Sequence, residues 1–187
     1  MIDFYKFPFT FNISETRKLV LELPSNTWIP HYNKNDYEGD WSVIALRSGW
    51  GHESNIYSVP MPAHSFQDTP VMSQFSDVQK ILERLKCDKT SVRFMKLSKG
   101  ADIKEHCDDN LDAETSGEAR LHIPIQTHND VAFYLNKQLV KMKEGECWYL
   151  NFNLPHSVAN PGPLDRIHLV IDCVVNDWLR QLLFHSA

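Results

Sequence analysis

The sequence predicts a mainly β domain, a sandwich or barrel, on three observations. From Ser91 onward, short β-like runs follow one another with turn residues between them. Strands do not alternate there with long helical stretches, which argues against a parallel α/β sheet. Helical spacing is confined to the first part of the chain and to its C-terminal stretch.

The elements follow in order. Ser14 to Leu21 reads as a helix with Ser14 as its N-cap. Pro24 to Gly39, rich in Asn, Pro and Asp, reads as loop, and Trp41–Arg47 as a strand. A second Pro-rich loop, Ser48 to Pro70, leads into a helix over Ser73–Leu85, whose Phe75, Val78, Ile81, Leu82 and Leu85 make an apolar stripe. The strands expected next are Val92–Leu97, Ala101–Glu105, Ala119–Thr127, Val131–Tyr134, Gln138–Met142, Glu146–Leu150, Ser157–Ala159 and Arg166–Val175. Gly117, Asn129-Asp130, Lys143-Glu144-Gly145 and Asn160-Pro161-Gly162-Pro163 supply the turns. Asn176 to Phe184 reads as a short amphipathic helix. With 187 residues, one domain spanning 1–187 is expected, with a helix-containing part to about residue 90 and a β core over about 91–175.

Composition narrows the function. The 19 Lys and Arg are outnumbered by 24 Asp and Glu, giving a net charge of −5, and no basic run could track phosphates. Nucleic acid is therefore not an expected partner. No apolar run approaches the roughly 20 residues of a membrane-spanning helix, and Met1–Phe11 lacks the basic start and apolar stretch of a signal peptide. A cytoplasmic protein with no membrane partner is expected, a monomer or homodimer. Cys87, Cys107, Cys147 and Cys173 form no C-x-x-C pair and read as reduced thiols.

The residues that carry chemistry are His106-Cys107-Asp108 and, fifty positions after His106, Pro155-His156. In an extended segment, residues at i and i+2 point the same way, so His106 and Asp108 can grip one ion from one side. His156 would supply the third ligand. Two imidazoles and a carboxylate on one triangular face suit Fe(II) oxygenase chemistry, because the opposite positions stay open for cosubstrate and O2. H-x-D alone also recurs by chance in solvated loops.

Ten residues past His156, Arg166 opens the apolar strand Arg166–Ile171. Its planar fork can clamp a carboxylate from two sides, and pairing across the Pro-Gly-Pro turn would bring it into the cavity that holds His156. Alternation puts Arg120 and His122 on one face of their strand and Leu121, Ile123 and Ile125 on the other. That polar face could look into a pocket or simply into solvent.

Taken together, His106-Cys107-Asp108, Arg120-Leu121-His122, Gly145–Leu150 leading to Leu154–Ser157, and Arg166–Asp172 resemble the aspartyl/asparaginyl/proline β-hydroxylases among the Fe(II)/2-oxoglutarate-dependent oxygenases. The resemblance runs from about Trp41 to Asp172. Within that family the bacterial free-proline cis-hydroxylases look nearest, on Asp40–Arg47 and Thr90–Phe94. It implies a double-stranded β-helix, a cupin-like jelly roll, flanked by helices in its N-terminal part and a short C-terminal one. Iron would sit on His106, Asp108 and His156, with the distal carboxylate of 2-oxoglutarate on Arg166. Arg120 and His122 would lie beside the cosubstrate, His122 near the carboxylate that is lost.

The activity implied is hydroxylation of an amino acid, free or within a peptide, with O2 consumed and succinate and CO2 released. Substrate would meet the Trp41–Arg47 strand, the loop around Trp50, and Arg93 or His168. Among these, Trp41, Arg47, Arg93 and His168 are the expected substrate-binding residues. Two readings stay open on the residues alone: a cupin-like metal dioxygenase or isomerase that needs no 2-oxoglutarate, and a non-catalytic β-sandwich binding module.

Overall fold

The structure, a computed structural model, describes residues 2–56 and 61–184; part of the Ser48–Pro70 loop lies outside the described residues. In chain order the elements are β1 (Phe4–Thr10), α1 (Ser14–Glu22), β2 (Ile29–Pro30), β3 (Tyr37–Glu38), β4 (Trp41–Gly49), β5 (Phe66–Asp68), α2 (Ser76–Arg84) and β6 (Lys89–Leu97). Then come β7 (Asp102–His106), β8 (Glu118–Gln126), β9 (Ala132–Leu135), β10 (Gln138–Leu139), β11 (Glu146–Leu150), β12 (His156–Ala159), β13 (Arg166–Val174) and α3 (Asp177–Phe184).

Two antiparallel sheets face each other. The larger runs β1-β11-β8-β13-β6-β4-β2, with β5 beside β4, and the smaller runs β10-β9-β12-β7-β3. This mainly β, two-sheet jelly roll with few helices is the expected fold class.

Strand alternation divides the apolar residues between two cores. Ile44 and Leu46 on β4, Val92 and Phe94 on β6, Leu121, Ile123 and Ile125 on β8, and Ile167, Leu169 and Ile171 on β13 face the helices. They meet Val20 of α1, the Val78, Ile81 and Leu82 stripe of α2, and Leu179 and Leu183 of α3. The opposite face of the same strands carries Val43, Met95, Leu97 and Val170, which pack between the sheets against Ile103, Phe133, Leu135 and Val158. The site opens into this second core. Cys147 and Cys173 are buried in the first, as small apolar side chains.

Several boundaries differ from expectation for local reasons. Ser14 is not the N-cap of α1; Ile13 holds that position without a side-chain bond, and Asn12 Oδ1 accepts the Ser14 N–H instead. The segment before α2 is a 3-10 turn, Pro70–Gln74, so the α-helix begins at Ser76. The strand β1 was not expected at all. Its Pro8 lies where the register against β11 shifts, between Lys6 and Thr10, on the edge of the sheet, so the missing N–H removes no ladder bond.

The expected turns are built as their residues require. Gly145 (φ +79°) passes so close to the Phe11 carbonyl that any Cβ would strike it. Asn160 is fully buried, and its Nδ2 donates to the carbonyls of Leu97, Ser98 and Leu164 at 2.9, 3.1 and 3.0 Å. Those bonds fix the turn that delivers Arg166 to the start of β13.

Candidate metal centre

His106 is the last residue of β7 and His156 the first of β12, and the antiparallel register pairs them directly. Their ring centroids are 4.2 Å apart. Asp108 lies just past the end of β7, beyond the ladder that the i, i+2 argument assumed. Its own N–H donates to the Phe152 carbonyl at 2.9 Å, and that bond holds it in place as a ladder bond would inside the strand. One donor atom from each of the three side chains lies within 4.8 Å of the others, with His106 Nε2 3.8 Å from Asp108 Oδ1.

The backbone also sets the chemistry of the two rings. His106 Nδ1 lies 2.8 Å from the Lys104 carbonyl and His156 Nδ1 lies 3.0 Å from the Leu154 carbonyl. A carbonyl only accepts, so each Nδ1 carries a hydrogen and each Nε2 keeps a free lone pair. Burial pushes His156 down to about 4, against the raising effect of the Leu154 carbonyl, so it is neutral at pH 7. Two neutral Nε2 donors, each oriented through its other nitrogen, beside one carboxylate fit a divalent iron with open positions opposite them.

The three residues line a cavity of about 600 Å³ between the sheets. Alternation on β8 turns Arg120 and His122 toward it, and the same alternation on β13 puts Arg166, His168 and Asp172 on the inner face. Arg120 is fully engaged by acids. Its Nη1 donates to Asp108 Oδ2 at 2.5 Å, while Nε and Nη2 donate to Asp172 Oδ1 and Oδ2 at 2.6 and 3.1 Å. Arg93 Nη2 donates to Asp172 Oδ2 at 2.5 Å, and its Nη1 to the Ile56 carbonyl at 3.1 Å. Burial alone would raise the Asp172 carboxyl, but Arg120 and Arg93 outweigh it and hold the group below the ordinary range.

Arg166 contrasts with both. It is 4% exposed, its Nε has no partner, and among the described residues its hydrogen-bond neighbour is His168 Nδ1 at 3.2 Å. Among the described residues it makes no ion pair, and burial lowers it to about 9. A buried cation without a counterion is costly unless an anion completes the site. His122 has a buried, unpartnered Nε2 in the same wall and stacks on Phe152 at 5.0 Å.

Of the expected substrate residues, Trp41 and Arg93 line the cavity. Arg47 does not: it stands opposite Asp68 in the β4–β5 register and donates to it at 2.7 Å, near the sheet edge. His168 is 1% exposed and lies behind the wall, against Arg166 and His122. Trp50 projects outward, 57% exposed.

His31, which lines the cavity, and Asp172, fully buried behind its wall, have no role assigned from the sequence alone. Asp172 had a signal: a charge in an apolar strand, in phase with Arg166, requires a partner. His31 had none, because it sits in a loop. It stacks on Trp41 at 3.6 Å and lines the cavity with its Nδ1 buried and unpartnered, and burial, with Arg93, lowers it to about 4.

The family model described as aspartyl/asparaginyl beta-hydroxylase matches residues 12–175. An L-proline cis-4-hydroxylase from Rhizobium meliloti is 30% identical over 139 residues, covering 72% of this chain. The match takes in 48% of that enzyme, so the chain spans about half the length of this curated relative. Among solved structures, a 2OG-Fe(II) oxygenase family oxidoreductase from Burkholderia pseudomallei superposes with a TM-score of 0.56 at 13% identity, covering 94% of this chain and 88% of that one. A Pseudomonas putida prolyl-4-hydroxylase gives 0.54 at 12% identity, covering 93% of each chain. Those two likenesses concern the fold, whereas the family match rests on sequence over most of the chain. The chain belongs to the aspartyl/asparaginyl beta-hydroxylase family.

Proposed function

We propose that the protein is an Fe(II)- and 2-oxoglutarate-dependent hydroxylase of an amino acid, free or within a peptide. The observation that carries the reading is the pairing of two incomplete sites in one cavity. Three donor atoms converge as ligands for a cation, and a buried guanidinium nearby makes no ion pair among the described residues.

In this reading His106, Asp108 and His156 hold the iron, and Arg166 receives the distal carboxylate of 2-oxoglutarate. When bound, iron with 2-oxoglutarate and O2 would supply the oxidising power for hydroxylating a substrate C–H bond, one oxygen atom going to the substrate and the other to succinate, with CO2 released. Arg120 holds Asp108 through Nη1 and is itself anchored by Asp172, so the ligand carboxylate keeps one orientation. The sheets exclude bulk water from the inner wall, where His122, His156 and Arg166 are each at most 5% exposed. Trp41, with His31 stacked on it, forms an aromatic wall for the substrate, and Arg93, held by Asp172, lines the same cavity. The proline hydroxylase relative makes free L-proline the first substrate to try.

The test is to incubate the Fe(II)-loaded protein with 2-oxoglutarate and a panel of amino acids and capped peptides, following succinate and product by mass spectrometry. Succinate formation that depends on one member of the panel and adds about 16 Da to it is expected. Turnover that continues without 2-oxoglutarate would point to a cosubstrate-free metal enzyme, and no turnover with any member to a binding module.

A further inference from the structure

One face of β8 carries Glu118, Arg120 and His122 in alternate positions, and all three line the cavity. Arg120 turns its fork to Asp108 and Asp172. The Glu118 side chain makes no hydrogen bond or ion pair among the described residues. It is half-buried, and burial followed by Asp172 raises its carboxyl above the ordinary value, against the lowering effect of Arg120. The fold therefore keeps an acid where its charge is disfavoured, a cost to stability that a bound cation would remove. The β8–β13 register sets Glu118 opposite Val174, near one end of β13, whereas Arg166 opens the other end. Their backbones are roughly 25 Å apart along the strands, too far for one five-carbon diacid to touch both side chains. Arg120, which holds Asp108, is two residues from Glu118, roughly 7 Å along β8. A small molecule reacting beside Asp108 can therefore reach Glu118 with a group a few bonds from its reacting carbon.

We propose that Glu118 is a specificity-determining residue whose carboxylate receives a protonated amine of the substrate. A cation there completes the site at one end, as an anion on Arg166 completes it at the other. An ammonium offers up to three N–H donors and a charge opposite to that of Glu118, whereas an amide nitrogen carries no charge and a carboxylate would be repelled. The cationic nitrogen can belong to the α-ammonium of a free amino acid or to a lysine side chain within a peptide, and the experiment separates the two. Two other acids on the cavity lining are less suited, because Asp36 accepts from Asn33 and Asp109 is exposed to water. Only the identity of the reacting molecule rests on the proposed function.

Binding is read by isothermal titration into anaerobic protein loaded with Fe(II) and 2-oxoglutarate, using free L-amino acids, their N-acetyl counterparts, and capped peptides with and without lysine. The tightest binder is expected to carry a cationic nitrogen, and acetylating that nitrogen should raise Kd about tenfold or more. A free amino acid in that place identifies the α-ammonium, and a lysine peptide the side chain. In Glu118→Gln the amine-bearing ligand should bind about tenfold more weakly while its acetylated form binds as before, and Glu118→Asp should recover part of the loss. Where succinate forms, the change should fall on KM, with kcat within about twofold of the unaltered enzyme. Amine discrimination that Glu118→Gln leaves unchanged overturns the proposal, as does a tightest binder with no cationic nitrogen, or no binding by any amine-bearing ligand. Melting of the ligand-free protein at neutral pH is a second readout. Glu118→Gln should melt no lower than the unaltered protein, because the charge has no partner in the fold; a clear drop would make Glu118 a structural residue and overturn the assignment. Amine discrimination by Glu118 without succinate from any ligand would keep the assignment and remove the hydroxylase reading.

Discussion

At the residue scale, the site depends on which charges have partners. Arg93, Arg120, Asp108 and Asp172 form one closed set, two cations and two anions joined by hydrogen bonds of 2.5 to 3.1 Å. Arg166 stands outside that set. Arg166→Ala is therefore expected to weaken 2-oxoglutarate binding by at least about 30-fold, corresponding to ~2 kcal/mol or more for a buried charged contact. Iron affinity in the same variant should stay close to that of the unaltered protein. Isothermal titration of each component separates the two, and equal cosubstrate affinity would take Arg166 out of the site. Asp172→Asn is a different case, because it leaves two buried guanidinium groups short of one anion. A loss of about 3–5 kcal/mol is expected in urea unfolding, with iron affinity lowered about 10- to 100-fold through the loosened Arg120–Asp108 contact.

At the element scale, legibility follows the regularity of the strand period. Where the ladder is unbroken, as along β8, alternation alone assigned Arg120 and His122 to one face and Leu121, Ile123 and Ile125 to the other, and the two cores follow that division. Where a bulge intervenes, the period misleads. The β4–β6 register shifts between Ala45 and Arg47, so Arg47 leaves the face of Trp41 and Val43 and pairs with Asp68. The strand β1 was hidden by Pro8, and His31 by a loop that carries no period at all. The turn before β13 gives a test at this scale. Asn160→Ala removes three side-chain donations to carbonyls and one acceptor for His128, with no replacement in a fully buried position. It should cost about 2–4 kcal/mol and also weaken 2-oxoglutarate binding, because the turn places Arg166. Unchanged stability would mean that the Pro161 and Pro163 backbone alone fixes the turn.

At the scale of the whole molecule, several histidines are kept neutral by burial, which links stability to pH. His31 and His156 sit near 4 in the folded chain, against roughly 6.5 when unfolded. Between those values the unfolded chain binds more protons, so stability rises with pH and is lost as pH falls from about 6.5 toward 4. The lowered carboxyl of Asp172 acts in the same direction at more acid pH, since its stabilisation is present above its unfolded value and disappears on protonation. Glu118, raised chiefly by burial, opposes the trend through one group. Thermal melts of chelator-treated protein should show the midpoint falling across that window; a flat profile would mean that these rings are open to water.

In the proposed enzyme, His106, Asp108 and His156 share one iron while Arg166 takes the cosubstrate's far carboxylate. Anomalous scattering at the iron edge, from crystals grown anaerobically with Fe(II) and 2-oxoglutarate, tests it most directly. A single peak within bonding distance of His106 Nε2, an Asp108 carboxylate oxygen and His156 Nε2, with keto-acid density reaching Arg166, is the expected result. Iron bound elsewhere, or 2-oxoglutarate lying away from Arg166, would contradict it.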